Sequence, residues 1–206
     1  AGGVGDYWVG NMTCDTGTDR WGGWSLVVIY EDVNEPLRDL VVWDGMQSYQ
    51  NTAVTLNLTG FVTPFNAAVP VVTDLGYFVG DGDLGAADTF RLISGALNTQ
   101  ITDPTSGTNT DFGNSTVSTP YLPAQTRTPS YANTLGFDLD VVRLTDRLPH
   151  GASTASIRFQ GSAQDVLWTG VVTFSTNIYA PDLVSTKTVV DLNGGVTRAR
   201  FLARKH

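Results

Sequence analysis

Apolar and polar residues alternate with a period of two in four windows of the chain, the signature of β-strands that bury one face. Val54, Leu56 and Leu58 alternate with Thr55, Asn57 and Thr59, and Leu135, Phe137, Leu139 and Val141 alternate with Gly136, Asp138, Asp140 and Val142. Ile157 and Phe159 alternate with Ser156 and Arg158, while Val172, Phe174 and Ile178 share one face and Thr173, Ser175 and Asn177 the other. In each window the apolar set is expected to face the core. Two further windows, Trp24 to Tyr30 and Leu40 to Trp43, are apolar on both faces and flank the turn-like Asn34-Glu35-Pro36. Short apolar runs bounded by turns suit strands covered on both sides, so this pair is expected in the middle of the fold. From Ser94 to Thr134 the chain is rich in Thr, Asn, Gly, Ser and Pro, which predicts a long surface excursion with at most short edge strands. A helical turn is expected only around Asp88 to Leu97. No repeat of about 20 to 50 residues is visible, which argues against solenoids and propellers.

Composition points the same way. Eighteen of the twenty acidic residues are Asp, and Lys occurs twice. A chain rich in Asp, Asn, Gly, Thr and Ser is poor in helix formers, because these residues compete with the helix through side-chain hydrogen bonds or backbone entropy. The fold class expected is all-β: an antiparallel β-sandwich of jelly-roll, Ig-like or concanavalin-like type, with long surface loops and little helix. At 206 residues it reads as one sandwich domain, residues 1–182, followed by a C-terminal strand and basic tail, residues 183–206.

The net charge of −8 disfavours nucleic acid as a partner, since phosphate binding depends on Lys and Arg. Charge is uneven: Arg198, Arg200, Arg204 and Lys205 crowd the end and leave −12 on residues 1 to 197, eight basic against twenty acidic. The basic end reads as a terminal segment or one docked on an acidic neighbour. A single cysteine, Cys14, excludes an intrachain disulfide and a Cys-rich metal site, and is expected to be semi-buried. No run of about 18 apolar residues is present to span a membrane. Ala1-Gly2-Gly3 fits a mature end left after cleavage at small residues.

Candidate chemistry is sparse, and no catalytic residues are expected. His150, beside Pro149 and Gly151, reads as a turn residue, and neither it nor His206 sits in a triad or zinc-helix pattern. Glu31, Asp32 and Glu35 would serve glycoside hydrolysis if two carboxyls were held at a suitable separation, but carboxylates around a turn more commonly cap its amides. Asp81, Asp83 and Asp88 are the metal candidates, because calcium takes hard oxygens and Gly82 permits a tight bend. They do not form an EF-hand, as Leu92 stands where its Glu would be; turn chemistry is the competing reading. A second acidic turn, Asp15 to Asp19, would add oxygens if nearby. Asn11-Met12-Thr13, Asn57-Leu58-Thr59 and Asn114-Ser115-Thr116 match the glycosylation acceptor pattern. Trp21, Trp24 and Trp43 would stack on sugar rings if exposed, giving a carbohydrate-binding module with a structural calcium, and would belong to the core if buried.

Trp21-Gly22-Gly23-Trp24-Ser25-Leu26-Val27-Val28-Ile29-Tyr30-Glu31-Asp32, with Asn34-Glu35-Pro36-Leu37-Arg38 and Val42-Trp43-Asp44-Gly45, resembles an uncharacterised family in large secreted bacterial surface proteins. The pattern continues through Leu58 to Pro64, the Gly80-Asp81 turn, Asn114-Ser115-Thr116, Asn133 to Asp138 and Tyr179-Ala180-Pro181, covering most of residues 18 to 192. The resemblance implies a non-enzymatic structural or adhesive domain at the cell surface, placed before tandem immunoglobulin-like repeats. The first strand of such a repeat resembles Thr186-Lys187-Thr188-Val189-Val190-Asp191-Leu192, but Val196 to His206 departs from the Pro-Gly-Asp turn and Thr-Tyr strand that usually follow. That strand is therefore expected to pair with its own sandwich or with a neighbouring copy, the latter being a route to filaments. In related repeats the equivalent of Lys187 forms an isopeptide cross-link, for which this chain offers no identifiable partner. The partners expected are other copies or neighbouring domains, with glycan as the alternative.

Overall fold

A computed structural model describes residues 5–18, 20, 22–120 and 130–178, together with the backbone of 184–190 and 196–202. The described residues form eleven strands and no helix. They are β1 (Arg38–Tyr49), β2 (Ala53–Leu58), β3 (Val72–Gly82), β4 (Thr89–Ser94), β5 (Leu97–Gln100), β6 (Val117–Ser118), β7 (Gly136–Thr145), β8 (Ala155–Gln160), β9 (Leu167–Asn177), β10 (Val184–Val190) and β11 (Val196–Leu202). With no helix there is none long and apolar enough to cross a membrane.

Two sheets pack face to face as a β-sandwich. One runs β1-β9-β3-β7-β6 and the other β2-β8-β4-β5; all neighbours are antiparallel except β6 and β7, which are parallel. Between the sheets lie Leu75, Tyr77, Val79, Val142, Val172 and Phe174 from the first, against Leu56, Leu58, Phe90, Leu92, Ile157 and Phe159 from the second. Phe90 is the hub: its ring sits 4.5 Å from Phe159, 4.7 Å from Phe112 and 5.3 Å from Tyr77. Such offset and tilted ring pairs add to the burial of their large apolar areas.

Three of the four alternating windows face the core as expected, through Leu56 and Leu58, Ile157 and Phe159, and Val172 and Phe174. β7 does the reverse. Its buried positions are Gly136, Asp138, Asp140 and Val142, while Phe137, Leu139 and Val141 are half-buried on the outer face and Leu135 is exposed. Period two announces two faces without saying which is inner. Here the outer one is also covered: the Phe137 ring meets that of Phe78 at 5.0 Å, tilted by 56°, and Phe78 lies where Gly170 has no side chain.

The expected central pair is not central. Trp24 to Tyr30 forms no ladder, and Leu26 to Tyr30 stay substantially exposed; Ser25 to Val28 face the outer side of the sheet across a cavity of about 200 Å³ lined also by Gly76, Phe78, Leu139 and Val141. Leu40 to Trp43 lies in β1, an edge strand whose Val41 and Trp43 pack on the core while Leu40 and Val42 face out. The helical turn expected near Asp88 is instead the hairpin β4–β5, turning at Gly95 with φ +57°, a left-handed conformation that glycine adopts at little cost. Both short strands of the 94–134 stretch, β5 and β6, are sheet edges, but the stretch is no mere surface excursion: Ile101, Asp103, Phe112, Asn114 and Ser115 are buried.

Replacing the fully buried Phe90 by Ala should destabilise the domain by about 3–5 kcal/mol, measured as a shift in the urea midpoint at unchanged slope. An exposed Val33→Ala substitution should stay within about 0.5 kcal/mol.

Candidate functional site

The chemical groups concentrated inside the sandwich are aspartates. Asp88, Asp103, Asp138, Asp140 and Asp165 are all buried, Asp103, Asp138 and Asp140 completely. Among the described residues no Arg or Lys bonds to any of them; the ion pairs found there join Arg38 and Arg143 to Asp74 instead.

Most of these carboxyls hold backbone. Asp88 Oδ1 accepts the amides of Phe112 and Gly113 at 2.6 and 2.9 Å, and Asp138 Oδ2 those of Asn114 and Thr116 at 2.6 and 3.4 Å. Asp103 Oδ1 accepts Thr105 and Ser106 within its own turn, Asp111 accepts Gly85 and Ala86, and Asp165 Oδ2 accepts Asp83. Segment 112–118 is thereby sewn between β3 and β7. Ser115 Oγ donates to the Gly82 carbonyl and accepts the Gly136 amide, and Phe112 inserts its ring against Tyr77 and Phe90. Backbone approaches so closely here that a Cβ on Gly82 would stand 2.8 Å from the Gly113 carbonyl carbon, and one on Gly113 2.9 Å from Leu167.

At the centre, Asp140 Oδ1 accepts Ser118 Oγ at 2.6 Å and Oδ2 accepts the Tyr77 hydroxyl. Asp138 and Asp140 stand two residues apart on the same buried face of β7, and Asp103 is buried as well. One oxygen each of Asp88, Asp103 and Asp138 is buried without a partner. Burial, opposed by the Ser118 and Tyr77 hydroxyls, pushes the Asp140 carboxyl up to about 7. Burial and the neighbouring Asp140 push Asp138 well above the carboxylate range. Burial also raises Asp88, raises Asp165 to about 6, and raises the hydroxyl of Tyr77 with Asp140 contributing. The arrangement fixes backbone. Asp103, Asp138 and Asp140 have no exposed surface for a substrate to reach.

The residues expected to bind calcium are dispersed in role. Asp81 takes a positive φ of +62° at a β-bulge, Asp83 is exposed, and Asp88 is buried on the 112–113 amides. No group of three or more acidic, His or Cys side chains among the described residues is arranged to hold a metal. Of the tryptophans, Trp24 is half exposed rather than core and Trp43 packs on the core, while Trp21 lies outside the described residues. Cys14 is exposed rather than semi-buried and, with Asp15, Arg20, Met46 and Trp168, lines a separate cleft of about 460 Å³. Asp32 caps its own turn through the Asn34 amide, and His150 Nδ1 lies 3.0 Å from the Pro64 carbonyl oxygen, as their turn readings required. Asn114 is buried and donates to the Asp111 carbonyl, so its acceptor pattern is closed in the folded chain; Asn11 and Asn57 are exposed.

Residues 184–190, carrying Thr186, Lys187, Thr188, Val189 and Val190, pair with 196–202 in a two-stranded hairpin that belongs to neither sandwich sheet. The strand expected to lack a partner within its own segment therefore has one; Asp191 and Leu192 lie outside the described residues. No family model, curated protein or solved structure matches the chain.

Gly113→Ala should cost about 1–3 kcal/mol through the forced shift of Leu167, read from chemical denaturation. Gly10→Ala, where a Cβ meets nothing within 4 Å, is the control expected to change nothing measurable.

Proposed function

We propose that the chain is a non-enzymatic structural or adhesive module of an extracellular bacterial surface protein, which joins other copies through its C-terminal hairpin. The observation that carries this reading is the separation of β10–β11 from both sandwich sheets together with its charge. Residues 184 to 206 hold five basic residues against Asp191 alone, whereas residues 1 to 183 hold seven basic against nineteen acidic. A basic C-terminal segment, residues 184–206, of net +4 is matched to an acidic remainder of net −12 on a neighbouring molecule. The sandwich offers two kinds of contact: the unpaired side of β1, with Leu40 and Val42 facing out, and the exposed apolar run Leu26 to Tyr30. An edge strand without a neighbour is a template for a strand from another chain, and hairpin addition is an ordinary use of it. The resemblance to secreted surface proteins supports placing the module outside the cell.

Light scattering and electron microscopy of the full chain should show concentration-dependent oligomers. Because part of the attraction is electrostatic, they should shrink at high salt, and deletion of residues 184–206 should leave monomers. Monomers of the full chain at every concentration and salt would sink this reading.

A further inference from the structure

The acidic cluster inside the sandwich poses an electrostatic problem. Charged carboxylates buried in contact repel strongly, and each loses its hydration. Around Asp138 and Asp140 the facing groups are Tyr77 from β3, Asp103 from the turn after β5, Ser118 from β6, and more distantly Asp88, Asp165 and Tyr49. Every one is acidic or neutral. Among the described residues no cationic side chain bonds to the cluster, and no group of three or more acidic, His or Cys side chains is arranged around a metal position.

A proton is the remaining counter-charge, and the geometry has a place for it. Asp138 uses Oδ2 for the amides of Asn114 and Thr116, its Oδ1 is buried without a partner, and Asp140 is the next residue along the same buried face of β7. A hydrogen on Oδ1 would give that oxygen a donor to offer its neighbour Asp140. We propose that Asp138 and Asp140 share one proton as a latch that fastens segment 112–118 to the sandwich, and that the segment is released when the proton leaves to solvent. The latch reaches the segment directly, through the two amides on Asp138 and the Ser118 hydroxyl on Asp140.

The direction of the pH effect follows. In an unfolded chain both carboxyls titrate near about 4, whereas burial holds Asp140 up to about 7 and Asp138 in the same direction. Folded chains therefore bind more protons than unfolded ones across this interval. The latch's contribution is full at about pH 4 and below and is lost as pH rises through about 7. The pair titrates together, so the midpoint belongs to both groups.

Amide hydrogen exchange of the full chain tests this. After correction for intrinsic exchange, protection at Asn114 and Thr116 should fall by up to about tenfold per pH unit between about pH 4 and 7 and level off above that, while the Ile157 amide in the β8 core stays protected. Asp138→Asn places a permanent N–H donor where the proton would be and should make protection independent of pH. Asp140→Asn should do the same if the first variant fails to fold. At about pH 7, above the usual carboxylate range, the infrared band of a protonated carboxyl should be stronger in wild type than in either Asn variant, and it should vanish by about pH 9. Equal protection at low and high pH, absence of that band, or an unchanged pH profile in both Asn variants would overturn the latch. So would protection at high pH regained on adding calcium chloride, because a cation and not a proton would then be the counter-charge.

Discussion

Two aspartates on the inner face of β7 set the terms for one end of this sandwich. A strand that directs Asp138 and Asp140 between two sheets must be met by donors, because an unsatisfied buried carboxylate costs several kcal/mol. Apart from the Tyr77 hydroxyl, the donors come from segment 112–118, which is why a polar stretch runs through the interior instead of over the surface. Segment and strand depend on each other. Phe112 supplies the apolar anchor, Ser115 ties Gly82 to Gly136, and bare glycines let the backbones approach. Several strained positions border this junction: Asp81, Ala87, Ser115 and Leu135 all have positive φ, a conformation that persists in non-glycine residues only where surroundings over-determine it.

Much of the fold was legible before any coordinates. β2, β8 and β9 followed from alternation, because their apolar faces meet an apolar opposing sheet and each position's polarity agrees with its burial. Glycine, proline and aspartate punctuation marked the turns. The failures share a cause. In β7, polarity and burial disagree because the buried face is polar and its compensation comes from residues some twenty positions away in sequence, beyond any local window. The Trp24 to Tyr30 run has the composition of a buried strand, but strand formation requires a neighbouring ladder, and local pattern carries no information about that.

The site was legible only in its ingredients. Asp88 stands out in the sequence for its place near Asp81 and Asp83, and its carboxyl is buried on the amides of Phe112 and Gly113. Asp103, Asp138, Asp140 and Tyr77 carried no motif. The one available signal was an excess of aspartate inside an otherwise apolar alternation, Gly136-Phe137-Asp138-Leu139-Asp140, which reads as a solvated face unless the opposite face is known to be covered as well.

The lopsided acidic composition, eighteen Asp to two Glu, also finds a physical meaning in the backbone amides these carboxyls hold. An aspartate carboxyl sits one carbon from Cβ, with only two side-chain torsions to freeze, so it fits a turn or a narrow gap between strands and loses little rotamer entropy there. Glutamate, one methylene longer, would overshoot the amides of Phe112 or Asn114 and intrude on ring-packed space. Exchange between the two acids, nearly free on an open surface, is thus costly wherever a carboxyl serves as a stitch, and side-chain length matters there as much as charge.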